Sequence, residues 1–252
     1  MVSTYSNLKF REAQVETFQM NLKFKLHIMM SNLKFNDEQL KEIHTGYRKK
    51  LNAAIYENPD FSSTQMQQIR IGLEEDIDVS LYADPKYTPE QMQEIRYAII
   101  LNHLDNKPDD QDIHLIANEK FSPAQMSEIW AGVYKGLDAS CYANPAFNLD
   151  QMTQIKKGLE EHLDVSMFAS PKFNWRQMLE IRKGLKHGYD VSAYADPKYT
   201  YSQMHEMYCG LKQGIDISMI KDPSLTPSQM SSICINGFLR DDKSNTDYAY
   251  AY

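Results

Sequence analysis

A cation or an aromatic residue recurs at one position of a repeated pattern along the chain. The pattern is marked by glutamines, and the residue five positions after the marker is, in six successive repeats, Arg70, Arg96, Trp130, Lys156, Arg182 and Tyr208. Cationic side chains and aromatic rings bind anionic, π-rich molecules such as nucleotides, through charge-assisted hydrogen bonds and stacking. These six residues, called the cation–aromatic row below, are therefore the candidate ligand-binding residues.

The same row also has a purely structural interpretation. A glutamate lies two residues before several of its members, at Glu94, Glu128 and Glu180, on the opposite edge of the same apolar helix stripe. If the long helices pack side by side, the cations of one repeat face carboxylates of its neighbour, and the arginine stems cover the core. The sequence thus predicts either an exposed ligand-binding row or a polar ladder between repeats, and both interpretations are open.

The elements that position the row follow from the repeat itself. The marker glutamines are spaced by 26, 26, 34, 26, 26, 26 and 26 residues, so one repeat is eight residues longer than the others. A period in this range is typical of solenoids, whose units bury their apolar faces only by stacking. We predict an all-α fold, an α-solenoid of tandem 26-residue units with one long and one short helix each. The markers are Gln39, Gln65, Gln91, Gln125, Gln151, Gln177, Gln203 and Gln229.

Each repeat contains signals that start and stop its helices. The segment Thr88-Pro89-Glu90-Gln91 has a capping residue, a proline at the first helical position and a glutamine three residues after the cap. This is a capping box, and it begins a long helix of about 12 residues. An Asp-Val-Ser segment such as the one at Asp190 caps the short helix. A glycine recurs within the long helix and predicts the close approach of a neighbouring helix, because glycine there is otherwise unfavourable.

The repeats divide the chain into three parts. Residues 1–34 form a degenerate N-terminal capping repeat, since atypical end units are expected in repeat arrays. Residues 35–239 contain eight tandem helical repeats, with the insertion near 103–111. Residues 240–252 are polar, lack a helical pattern and predict a flexible tail.

Composition and motifs exclude several classes of function. The net charge of −7 argues against binding of long nucleic acids, which needs a basic surface. Three cysteines without metal-ligand spacing indicate reduced thiols in the cytoplasm, and no apolar run is long enough to cross a membrane. The histidines show no zinc-binding spacing, and no phosphate-binding or nucleophile motif occurs. We therefore predict a non-enzymatic protein without catalytic residues, metal or cofactor.

A second candidate surface lies where the repeats depart from their pattern. Positions that are often polar elsewhere are occupied by Tyr97, Ile100, Ala131 and Tyr134 in two consecutive repeats. Adjacent helices pack about 8–10 Å apart, so these residues predict one apolar patch on the outer face. Either the acidic insertion folds over this patch, or the patch is an interface for a partner or for a homodimer.

The repeat unit as a whole resembles a known type of sequence. The residues that carry the resemblance are, in one repeat, Gln177-Met178, Glu180-Ile181-Arg182, Gly184-Leu185, Asp190-Val191-Ser192 and Tyr194-Ala195. This unit resembles a tandem helical repeat of uncharacterised proteins from bacteriophages and conjugative elements, chiefly of gut bacteria, and the resemblance extends over residues 35–239.

That resemblance implies a mobile element as the source and the host cytoplasm as the location. Small non-enzymatic phage proteins in such settings often disable host defence. The resulting expectation is an anti-defence protein that sequesters a nucleotide-derived immune signal. The alternative is a protein–protein scaffold or inhibitor that binds a host protein through the solenoid surface.

Overall fold

The structure, a computed structural model, describes residues 34–104 and 110–246. Side chains are described for residues 34–104 and 113–236. All regular elements in these ranges are helical, and no strand occurs there. The α-helices are α1 Asp37–Arg48, α2 Ser63–Glu74, α3 Pro89–Leu104, α4 Pro123–Tyr134, α5 Leu149–Glu160, α6 Trp175–Lys186, α7 Tyr201–Lys212 and α8 Pro227–Thr246. The predicted all-α class is therefore confirmed for the described part of the chain.

The predicted helix starts are also confirmed. In α6 the Asn174 side chain accepts a hydrogen bond from the backbone N–H of Gln177, and the Gln177 side chain accepts one from the backbone N–H of Asn174. These reciprocal bonds satisfy two backbone donors that a helix N-terminus otherwise leaves unpaired. The same box begins α1, α2, α5 and α7.

The short helices are 3₁₀ helices, most of them a single turn. The carboxylate of Asp190 accepts a hydrogen bond from the backbone N–H of Ser192 and thereby begins the turn Val191–Ala193. Hydrogen bonds from the Ser192 side chain and from its backbone N–H keep the pKa of the Asp190 carboxyl below its usual value. The other 3₁₀ segments are Ala53–Ile55, Asp110–Leu115, Ala139–Cys141, Val165–Met167 and Ile217–Ile220.

Consecutive helices pack against one another within two compact units, Met1–Met126 and Ser127–Tyr252. The first unit pairs α1 with α2 and α2 with α3, and the second pairs α5 with α6, α6 with α7 and α7 with α8. Each core consists of the methionine after the marker glutamine, the isoleucine three residues later, and aromatic residues from the loops. Fully buried examples in the second unit are Met178, Ile181 and Tyr194.

The glycines within the long helices have a different cause from the one predicted. A Cβ on Gly184 would collide with the hydroxyl of Tyr194, an aromatic residue of the same repeat rather than of a neighbouring helix. Because Gly184 has no side chain, the Tyr194 hydroxyl can approach the helix and donate a hydrogen bond to the backbone carbonyl of Glu180 at 3.2 Å. Burial raises the pKa of Tyr194, so the hydroxyl stays protonated and keeps donating.

Helix ends depend on one position with a left-handed backbone. Gly188 ends α6 with φ of 72°, and His162 takes the same conformation with φ of 56° after α5. The equivalent residues, Asn102 and Arg240, lie within α3 and α8, and these helices continue past that position to total lengths of 16 and 20 residues. Part of the predicted tail, 240–246, is therefore helical. The rest of the tail, the N-terminal capping repeat up to residue 33, and the centre of the insertion (105–109) lie outside the described residues.

Candidate functional site

The two cations of the row in the first unit are engaged in ion pairs. Arg70 contacts Glu42 on the preceding helix at 2.7 Å through Nε and also contacts Glu74 on its own helix. Arg96 donates from Nη1 to both oxygens of Glu75, at 2.7 and 3.0 Å. The Arg70 and Arg96 side chains are only 11% and 7% exposed. Both guanidinium groups therefore lie mostly buried against carboxylates.

The cations of the second unit follow the same pattern. Lys156 pairs with Glu128 at 2.9 Å, and Arg182 pairs with Glu161 at 2.6 Å. Burial alone raises the pKa of Glu161, but its hydrogen bonds to Lys186 and Arg182 outweigh this effect and leave the pKa below the usual value. The row cations in both units thus join each helix to the one before it.

The two aromatic members of the row have different surroundings. Trp130 is half-buried, its ring lies 6.5 Å from that of Tyr134, and its indole N–H has no hydrogen-bond partner among the described residues. Tyr208 is buried and contacts the rings of His187 at 5.8 Å and Tyr189 at 6.1 Å. The Tyr208 ring is therefore covered by its neighbours, whereas Trp130 keeps part of its surface exposed.

The sequence foresaw only part of this arrangement. Glu42 and Glu128, three residues after their markers, are partners of the predicted kind. Partners ten residues after the marker were missed, namely Glu75 for Arg96 and Glu161 for Arg182. The signal was present, because each of these arginines follows a repeat with glutamate at that tenth position. In one repeat the tenth residue after the marker is His187, and the row residue of the next repeat that contacts it is an aromatic, Tyr208.

The marker glutamines have a second role that the sequence reasoning missed. The side chain of Gln65 accepts from the Ser62 backbone at 2.7 Å, and its Nε2 donates to the carbonyls of Pro85 at 3.0 Å and Tyr87 at 2.6 Å. Those carbonyls belong to the loop before the next long helix. Each such amide therefore caps its own helix and binds the following repeat. The same double donation is made by Gln39, Gln91, Gln151, Gln177 and Gln203.

The second unit also presents an exposed edge of large side chains. Leu149, Trp175 and Tyr201 are the first residues of α5, α6 and α7, and Leu149 and Tyr201 are 40% and 42% exposed. The guanidinium carbon of Arg176 lies 5.2 Å from the centre of the Trp175 ring and 5.1 Å from that of Tyr201. We call Leu149, Trp175, Arg176 and Tyr201 the aromatic edge.

One cluster resembles a catalytic arrangement. Nδ1 of His205 lies 3.0 Å from the buried Glu180 carboxylate, and Nε2 lies 3.5 Å from the Cys209 sulfur. However, burial and the charges of Glu206 and Glu180 raise the pKa of the Cys209 thiol. The thiol therefore stays protonated near neutral pH, which makes it a poor nucleophile.

The predicted outer patch falls on both units. Tyr97 is 45% exposed in the first unit and Tyr134 is 44% exposed in the second, while Ile100 and Ala131 are half-buried. Beside α3, a cavity of about 120 Å³ is lined in part by Ile99 and by two exposed histidines, His103 and His114. Small-molecule pockets typically have volumes of about 300–1,000 Å³, so this cavity is too small for a nucleotide.

Comparisons with known proteins add no assignment. No family model, no curated protein and no solved structure matches this chain. Within the described residues, no helix combines the length and apolar character that a membrane span requires. The same residues contain no group of three or more potential metal ligands.

Proposed function

We propose that this chain is a non-enzymatic binding protein of a phage or mobile element that engages a host protein in the host cytoplasm. In this proposal its tandem 26-residue units form an α-solenoid, and its exposed surface provides the binding site. Such arrays offer extended surfaces for partner binding, because each repeat contacts only its neighbours. The mobile-element context and an anti-defence role rest on the resemblance of the repeat unit.

The observation that supports protein binding is that the row cations are engaged within the chain. A nucleotide phosphate would have to take Arg96 from Glu75, and Arg182 from Glu161, at sites where the arginine side chains are 7% and 13% exposed. Glu75 and Glu161 are themselves 39% and 24% exposed, so the main obstacle is that each mostly buried arginine would have to give up its ion pair to bind a phosphate. In the aromatic edge, by contrast, Leu149, Arg176 and Tyr201 are exposed and Trp175 is half-buried, and tryptophan, tyrosine and arginine are the residue types that dominate binding energy in protein interfaces.

Sequestration of a nucleotide-derived immune signal is the second candidate. Its support is Trp130, whose buried indole N–H has no partner among the described residues. A ligand carbonyl or phosphate oxygen could accept this hydrogen bond. Lys156, one repeat further along the row, is 13% exposed and is engaged by Glu128, so a phosphate would have to compete for it.

Quantitative affinity purification from host cells, followed by native mass spectrometry, tests the two candidates against each other. For protein binding, we expect a host protein that copurifies with the wild type and is lost from Trp175→Ala. Met219→Ala is the matched control, since it removes a 70% exposed apolar side chain from a 3₁₀ turn of the same unit. Copurification of a nucleotide-sized mass without any protein partner would overturn the proposal.

A further inference from the structure

We infer that the aromatic edge binds an acidic segment of the partner protein, in an extended conformation. This inference rests on the proposed function, because it names the chemistry of the partner that the edge recognises. The central group is Arg176. It is exposed, and no carboxylate lies within ion-pair distance of it among the described residues.

The two rings hold the Arg176 guanidinium in place. Its carbon lies about equally far from the ring centres of Trp175 and Tyr201, at 5.2 and 5.1 Å. Contact with two ring faces reduces the freedom of a side chain that otherwise loses considerable entropy on binding. The N–H groups of a guanidinium lie in its plane and match the two oxygens of a carboxylate. Arg176 is thus prepared to receive an aspartate or glutamate side chain.

The apolar members of the edge set the shape of the segment. Leu149, Trp175 and Tyr201 occupy the first position of three consecutive helices. Adjacent packed helices lie about 8–10 Å apart, and an extended chain advances about 3.3 Å per residue. Apolar anchors three residues apart in an extended segment therefore reach neighbouring members of the edge, with acidic residues between them facing Arg176.

The charges around the edge favour an acidic occupant. Lys172 is exposed and precedes α6, and no ion pair engages it among the described residues. Lys198 precedes α7 and pairs with Asp196 at 3.0 Å, while Asp150 is exposed at the start of α5. Counting Arg176, three cations and two carboxylates thus lie close in sequence to the starts of these helices, in a chain whose net charge is −7. The positive ends of three helix dipoles add to this local cationic character.

The test uses the full chain and a fluorescently labelled short peptide that alternates glutamate pairs with phenylalanine or leucine at every third position. The matched peptide has lysine in place of each glutamate. We expect the acidic peptide to bind, as measured by fluorescence anisotropy at physiological salt, and the basic peptide to bind at least tenfold more weakly. Arg176→Gln and Tyr201→Ala should each weaken binding about tenfold, while Met219→Ala should leave it unchanged. Circular dichroism verifies that the variants are folded.

Four results would overturn the inference. The first two are equal binding of both peptides and unaltered binding to Arg176→Gln. The third is displacement of the peptide by inorganic phosphate at matched ionic strength, which indicates a general anion site. The fourth is concentration-dependent self-association that Arg176→Gln abolishes, which indicates a second copy as the occupant. If the acidic peptide fails to bind while the copurifying host protein still depends on Trp175, only the acidic chemistry is wrong and protein binding stands.

Discussion

Replacement of Gln65 by glutamate separates the two roles of the marker glutamine. As a helix-start residue, glutamate at this position is as good as glutamine or better, because it completes the capping box and lies near the positive end of the helix. As a bridge to the next repeat it fails, because a carboxylate has no N–H to donate to the carbonyls of Pro85 and Tyr87 at 3.0 and 2.6 Å. A capping role alone therefore predicts no loss of stability, and the bridge predicts a large one.

The size of the loss follows from the surroundings of Gln65, which is 7% exposed. Each lost hydrogen bond costs about 1 kcal/mol. An ionised carboxylate would face two carbonyl oxygens with little water, so the introduced carboxyl is more stable when protonated. Protonation of a glutamate with an ordinary pKa of about 4.3 costs about 3.7 kcal/mol at pH 7, which is an upper limit for the charge penalty. The protonated acid restores one of the two bonds. We expect a total loss of about 3–5 kcal/mol at pH 7.

The loss should depend on pH with a definite sign. Burial raises the pKa of the introduced carboxyl in the folded state above its unfolded value. The folded variant therefore binds more protons than the unfolded chain, and its relative stability declines as pH rises through the folded-state pKa. Each pH unit contributes up to about 1.4 kcal/mol, so the loss should shrink by up to about 2.7 kcal/mol between pH 7 and pH 5.

Urea unfolding followed by circular dichroism at both pH values measures these differences. Gln67→Glu is the matched control, since Gln67 is exposed on the same helix and its substitution should change the free energy of unfolding by less than about 0.5 kcal/mol. Ser62→Ala removes only the cap and should cost about 1 kcal/mol. If Gln65→Glu unfolds at the same urea concentration as Gln67→Glu, the bridge contributes nothing to stability and the reasoning is refuted.

Three further variants, one of them a double substitution, test other parts of the structure. Gly184→Ala should lower the free energy of unfolding by about 1–3 kcal/mol in thermal or urea unfolding, because its methyl group overpacks the core; stabilisation, as at an exposed helical glycine, would contradict this. Arg182→Ala should cost about 2 kcal/mol at pH 7. Since the pKa of Glu161 is lowered in the folded state, this pair contributes above the unfolded pKa, and the ion-pair part of the difference should be lost as pH falls through the folded-state value. The part due to lost packing and to the lost hydrogen bond to Gln154 should remain. Tyr97→Glu combined with Tyr134→Glu should convert the predicted dimer to a monomer in light scattering at unchanged helicity; a wild type that is monomeric at high concentration removes the dimer hypothesis.

Local signals predicted the parts of the fold that local interactions determine. The capping boxes could be predicted because their bonds span three residues, as between Asn174 and Gln177. The 3₁₀ turns could be predicted because an aspartate such as Asp190 bonds to a backbone group two residues later. These contacts need no knowledge of what packs against them, so one sequence is sufficient.

The contacts that were missed are those between segments. In five repeats, a glycine within the long helix and the aromatic residue that packs against it recur at a constant separation, as Gly184 and Tyr194 do. Because these repeats contain both, the pattern alone cannot tell an aromatic of the same repeat from a helix of the next one. The hydrogen bonds from Gln65 to the next repeat were missed because the capping box already explained why a glutamine occupies this position.

The candidate site was harder to predict because a search for recurrence favours the structural residues. Packing within each repeat and stacking between repeats impose the same contacts several times along the chain, so Gly184 and Gln65 recur with their partners. A binding surface need not repeat. Three members of the aromatic edge, Leu149, Trp175 and Tyr201, are the first residues of their helices, where the other long helices have proline, serine or aspartate.

The recurring and the varying positions of the repeat thus differ in whether the packing of neighbouring helices constrains them. The fifth position is committed to stacking, and it changes together with its partner: Glu161 accompanies Arg182, and His187 accompanies Tyr208. A substitution there that suited a ligand would first have to preserve the contact between helices. The first helical position is free of that requirement, because the cap precedes it and the core begins after it. It can therefore take Trp175 or Tyr201 while the marker glutamine and the core residues after it keep their contacts.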